Sequence, residues 1–181
     1  DVYKRQGSYI PNGPITNQIF SLECFDSELY VCHGGHTNFG NWNNKNGASI
    51  KAKSGFWNNY NYYDLDNAKD IVSVAKHNNN IYFSSFYNGV AQIKDGEFFF
   101  RWNASNTNYG IDTIADWAND KRLSICGLKT DNYGNLWGLT SSVQNPLFVK
   151  TVDDEWQSFY VQQQIKYCLL YTSPSPRDVR S

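Results

Sequence analysis

Four groups of side chains in this chain have types and spacing that could do chemistry. His33 and His36 stand two glycines apart, a spacing found between metal ligands. No third ligand is close, and glycine between the two leaves the geometry unset, so polar loop histidines are the better reading. Asp131-Asn132-Tyr133-Gly134-Asn135 is oxygen-rich like a calcium loop but lacks the later bidentate carboxylate. A tight turn asks for Asp, Gly and Asn in any case, so the turn is favoured. Asp64, Asp66 and Asp70 cluster; solvated turn carboxylates and a strand cap account for them, with a weak calcium site as the alternative. Lastly, Trp42, Trp57, Tyr60, Tyr62 and Tyr63 lie among many asparagines. Flat rings stack on the apolar face of a sugar while amides take its hydroxyls, which makes these five the candidate glycan-binding residues. Packing is the stronger competing reading, because aromatics beside strands are usually buried.

Catalytic signatures are missing. There is no nucleophile elbow, no phosphate loop and no histidine with a recognisable partner, so no catalytic residue, metal or cofactor is expected. A propeller-type lyase or glycosidase would need a constellation that the sequence does not display. The formal net charge of −1 gives no basic field for nucleic acid. No apolar run is long enough to span a bilayer.

The elements that must position these residues follow from one stretch, Leu123 to Trp137. An apolar run meets the Asp131 to Asn135 turn and resumes as Leu136-Trp137, which predicts two antiparallel strands and a hairpin. The same figure starts at Ile19 and at Ile71, so the pattern recurs at about fifty residues. Each repeat holds four predicted strands. In the first these are 19–25, 28–33, 48–52 and 56–60; in the second, 71–75, 81–85, 89–93 and 97–102; in the third, 123–130, 135–140, 146–151 and 155–161. Ile71 to Ala75 is apolar at successive positions, the mark of a strand covered on both faces.

Four-stranded antiparallel units of this length, buried on both faces, are the blades of a β-propeller. The predicted fold is therefore all-β: a partial propeller of about three blades from a larger ring. Its segments are an incoming linker at 7–18, a blade at 19–63, a blade at 64–102, an inter-blade connection at 103–121 with a helical turn near 114–118, a blade at 122–161 and the start of a next segment at 162–167. Trp137 is expected inside the third blade. Cys24, Cys32 and Cys126 read as small buried thiols, since a turn at Asp26-Ser27 sets Leu29 opposite Cys24 and Ser21 opposite Cys32, a poor arrangement for a disulfide.

The two ends read differently. Residues 1–6, DVYKRQ, match the in-frame translation of a transposon mosaic end used to make sequencing libraries. CLLYTSPSPRD, within 168–181, matches the translated reverse complement with its adapter. Both are expected to be adapter scars on a metagenomic fragment and are set aside from fold reasoning. Without them the remainder carries about −3.

Asp131, Gly134, Asn135, Leu136 and Trp137, followed by Gly138-Leu139-Thr140, resemble the D-x-x-G-N-L-W-x-x-T signature of two-component-regulator-type propeller repeats. The order of PNGPITNQIFSL, ASIKAKSGFWNNY, DIVSVA, IYFSSFYNGVAQIKDGEF, GLKTDNYGNLW and PLFVKTVDDEWQSF is similar to that of PorZ-like surface propellers of the type IX secretion system. The first repeat departs from the pattern, with Phe25-Asp26-Ser27-Glu28 in place of a Gly-Asn turn. The resemblance implies a non-enzymatic exported protein, at the outer-membrane surface or in the periplasm, that works with a sortase and anionic lipopolysaccharide. It transfers no ligand site. The alternative is the periplasmic sensor propeller of a hybrid histidine kinase, which carries the same repeats. Three blades alone leave open faces and strand edges, so the isolated chain should aggregate or be poorly folded on expression. A soluble monomer with a cooperative melt would contradict this.

Overall fold

A computed structural model describes residues 11–37, 40–114 and 122–161. The two adapter-like stretches, and most of the helical turn expected near 114–118, lie outside the described residues. Among the described residues twelve strands form three separate four-stranded sheets. The first contains β1 (Ser21–Phe25), β2 (Glu28–Cys32), β3 (Ala48–Lys51) and β4 (Trp57–Tyr60). The second contains β5 (Ile71–His77), β6 (Asn80–Ser85), β7 (Gly89–Lys94) and β8 (Glu97–Trp102). The third contains β9 (Ile125–Thr130), β10 (Leu136–Thr140), β11 (Leu147–Lys150) and β12 (Trp156–Phe159). Every pairing is antiparallel and joins consecutive strands, so each sheet is a meander. The chain is thus all-β, three open blades of a larger propeller ring.

The turns explain the registers. Phe25 pairs with Glu28, leaving Asp26 and Ser27 as a two-residue loop with φ of 51° and 66°. Two successive left-handed residues make the turn whose twist suits a hairpin, and the short polar Asp side chain tolerates it without glycine. Asp95 and Gly96 do the same between β7 and β8, with φ of 52° and 86°. In an antiparallel meander the first and third connections of a blade lie at one end and the second at the other. The hairpins around Asp26, Asn78 and Asp131 therefore share one end of the molecule, the hairpin end. The long loop from His33 to Gly47 belongs to the loop end.

Alternation within the middle blade builds two cores. In β6, Phe83 faces the first blade with Tyr30, Ala48 and Ile50, and is fully buried. Its neighbour Tyr82 points the other way, toward Leu128, Leu136 and Phe148 of the third blade. Val74 and Ala75 of β5, and Ala91 and Val90 of β7, split in the same manner. A period of two thus feeds both interfaces from one sheet, which is why β5 reads as continuously apolar. The strand β1 has a covered side and an open one, with Leu22 54% exposed.

The incoming segment crosses the open face of the first blade. Asn12 exchanges two hydrogen bonds with the Trp57 backbone, the Asn59 amide donates to the Gly13 carbonyl, and the Ile15 N–H donates to Ser49 Oγ. Of the cysteines, Cys32 is buried as expected, whereas Cys24 and Cys126 are exposed. They sit on the outward faces of the two end blades, where no neighbouring blade covers them. Trp137 is likewise only half-buried, for the same reason. Among the described residues no helix is long and apolar enough to cross a membrane.

In the complete propeller, Phe83→Ala should lower stability by about 3–5 kcal/mol, the range for a buried aromatic. Urea unfolding that shows a loss below about 1 kcal/mol would mean that the site collapses without a cavity.

Candidate functional site

Asp131 is the centre of the repeat signature. One carboxylate oxygen accepts the backbone N–H groups of Tyr133 and Asn135, both at 2.9 Å. The other accepts the Asn135 side-chain amide at 2.9 Å and the Trp137 indole N–H at 3.0 Å. Four donors engage the two carboxylate oxygens and favour the charged form. The indole of Trp137 and the amide of Asn135 accordingly hold Asp131 well below the ordinary aspartate value, at about 2. Gly134 completes the turn at φ 90°, and a β-carbon there would meet the His77 ring of the second blade. Asp, Gly, Asn and Trp at this spacing therefore form one hydrogen-bonded hairpin seated against the neighbouring blade.

His33 corrects the loop-histidine reading. It is fully buried, with Nδ1 2.8 Å from the Gln18 carbonyl and Nε2 2.9 Å from Ser49 Oγ. The carbonyl can only accept, so Nδ1 carries the proton and Ser49 donates to Nε2. Burial lowers the pKa, which keeps the ring neutral. Sequence gave no hint of this, because the burying partner is the incoming segment. His36 is half-buried and stacks on Phe86 with ring centroids 4.1 Å apart. The three acidic residues also separate. Asp64 accepts from the Asn61 N–H and Asp66 pairs with Arg101, both at 2.8 Å. Asp70 is buried rather than solvated, its two oxygens accepting the N–H groups of Asn43 and Asn44. It pins the long loop to the second blade. Among the described residues no three His, Cys, Asp or Glu side chains converge on a common point.

The five candidate glycan-binding residues fall into three places. Trp42, 57% exposed, lies on Gly35 at the loop end with its ring edge-on to Phe20. Tyr62 and Tyr63 form an edge-to-face pair, with the Lys45 ammonium 5.0 Å from the Tyr62 ring. Trp57 and Tyr60 line a shallow groove along the outer strand with Asn58, Asn59 and Phe98. The Tyr60 hydroxyl donates to the Gly96 carbonyl, which ties the groove to the second blade. Asp64 and Glu97 also line this groove, and no Lys or Arg does. Its chemistry suits a neutral sugar better than an anionic one.

A second cleft, of about 400 Å³, opens at the hairpin end between the second and third blades. Its walls include Asn80, Tyr82, Gln92 and Lys94 from one blade and Lys150 and Asp154 from the other. None of these residues stood out in the sequence as a site. Their signal is a break in the apolar pattern at fixed repeat positions, visible only once the registers align.

The sheets and their joints define the class: a β-propeller, seen through three of its blades. The chain is similar to PorZ, an essential bacterial surface component of the type-IX secretion system of Porphyromonas gingivalis, with a TM-score of 0.70 and 20% identity. The likeness covers 86% of this chain and 21% of PorZ, so the chain spans about a fifth of that protein's length. It also matches the extracellular domain of a hybrid two-component system from B. thetaiotaomicron, at 12% identity, over 84% of this chain and 23% of that one. The TM-score of that match is 0.40. No family model matches the chain, and no curated protein does. What the likeness to PorZ shows is the fold.

The Asp131 hairpin gives a pH test. Its carboxylate has a depressed folded-state pKa, so its stabilising effect is complete above about pH 4 and fades as the pH falls toward 2. The Trp137 indole N–H resonance should titrate with a midpoint near 2. A midpoint near the ordinary value of about 4 would show that the carboxylate is not held.

Proposed function

We propose that this chain is part of a non-catalytic propeller that serves as a scaffold and binding module, a type IX secretion accessory of the PorZ kind. The observation that carries this reading is the likeness in fold to PorZ over 86% of the chain. The placement of the polar groups supports it: His33, Asp70 and Asp131 are each absorbed by hydrogen bonds that shape loops and joints. On this reading the partners are a sortase and anionic lipopolysaccharide, and the place is the outer-membrane surface. The rigid blades hold a glycan or protein partner on their loops while the sortase performs the covalent step.

The whole parent protein is expected to co-purify with the sortase and to bind anionic lipopolysaccharide in calorimetry. A parent gene that encodes a transmembrane helix followed by a histidine kinase would overturn this and establish the sensor reading. Glycan binding by the aromatic residues is tested separately. Trp57→Ala in the complete propeller should weaken binding to neutral surface polysaccharide by about tenfold, the worth of one stacked ring. No array or calorimetric binding by the unmodified propeller would end that part of the reading.

A further inference from the structure

Equivalent positions in the three blades can be compared through their registers. Tyr30 pairs with Ile50, Tyr82 with Gln92, and Trp137 with Val149. Gln92 thus occupies a place that is aliphatic in the blades on either side, yet it is only 5% exposed. A second comparison aligns Ile81–Ile93 with Leu136–Lys150. Ile93 is fully buried against the first blade, and Lys150, 5% exposed, faces the second. Ile50 and Ile93 therefore close the first joint, while Gln92 and Lys150 face each other across the second. Burying an amide and an ammonium where a repeat elsewhere uses two isoleucines is costly unless their polar groups are engaged.

Only part of that demand is met within the chain. Gln92 donates to Asn80 Oδ1 and accepts the Trp102 indole N–H, at 2.9 and 2.8 Å. The Lys150 ammonium lies 5.8 Å from the Trp102 ring and 6.0 Å from that of Tyr82. It pairs with Asp154, which is 71% exposed on the adjoining turn. One carboxylate accounts for one of three ammonium donors. Lys94 stands at the mouth, 5.4 Å from the Phe99 ring. Burial pushes the Tyr82 phenol up to about 12, so it remains a donor at neutral pH. Two ammoniums against one carboxylate give this cleft the opposite sign to the outer groove with Asp64 and Glu97.

We propose that the cleft between the second and third blades binds a small hydroxylated anion of monosaccharide size, with its carboxylate or phosphate on Lys94 and Lys150 and its hydroxyls on Asn80 and Tyr82. The volume of about 400 Å³ is in the range for such a ligand. Phe99 at the rim offers a face for the ring. This site stands or falls independently of the secretion role.

The test uses the complete propeller, with glucuronate, glucose 6-phosphate and glucose as probes in calorimetry. At least one of the two anions should bind at least tenfold more tightly than glucose, the scale of one charge-assisted hydrogen bond. Binding of glucuronate alone identifies a carboxylate ligand, of the phosphate alone a phosphate ligand, and of both a site that reads charge. Lys150→Met keeps the buried stem and removes the ammonium, so it should abolish the preference without lowering the melting temperature. Lys94→Ala, an exposed change that does not threaten folding, should weaken anion binding about tenfold. The proposal is overturned if neither anion binds below about 10 mM, if glucose binds equally well, or if both variants bind like the parent.

Discussion

The structure depends on burying both faces of the middle sheet. Phe83 and Tyr82 are neighbours in one strand, yet one seals the first joint and the other the second. Because consecutive side chains leave a strand on opposite sides, neither joint can change its register without displacing the other. Everything else that is ordered around the joints, from the Asp70-pinned loop to the Asp131 hairpin, is hung on sheets whose positions that alternation sets.

Strands were the legible part of the sequence, because period and turn chemistry are local. All twelve fall within two residues of where apolar runs and Asx-rich turns put them, including the Asp26-Ser27 hairpin that departs from the repeat signature. The role of Asp131 as a turn residue was also readable, although its bond to the Trp137 indole was not. What the sequence hid was whatever depends on a partner distant along the chain. His33 looked like a loop residue until the segment from Asn12 to Gln18 was seen to close over it. Cys24 and Cys126 looked buried because a cysteine in an apolar strand usually is, but both are exposed, one on the first blade and one on the third.

The candidate site was legible in residue type and illegible in place. Five aromatics that are close in sequence separate in space, because one lies in the long loop, two in the connection after the first blade and two on the outer strand. The cleft shows the converse. Gln92 and Lys150 are far apart in the chain and unremarkable singly, and they meet only through the antiparallel registers of two different sheets.

Each joint is fastened differently at its two ends. At the loop end the main chain ties the blades, with the Gly34 N–H on the Ile71 carbonyl at 2.8 Å and the Leu123 N–H on the Tyr87 carbonyl at 3.1 Å. A β-carbon on Gly34 would lie 2.3 Å from the Asp70 backbone, so the sheets touch there without spacers. At the hairpin end they are held apart by side chains, such as His77 against Gly134. The joint is a hinge with a pin at one end and a shim at the other. The angle between blades, and with it the number needed to close a circle, is then a matter of side-chain thickness at the hairpin end rather than of strand pairing.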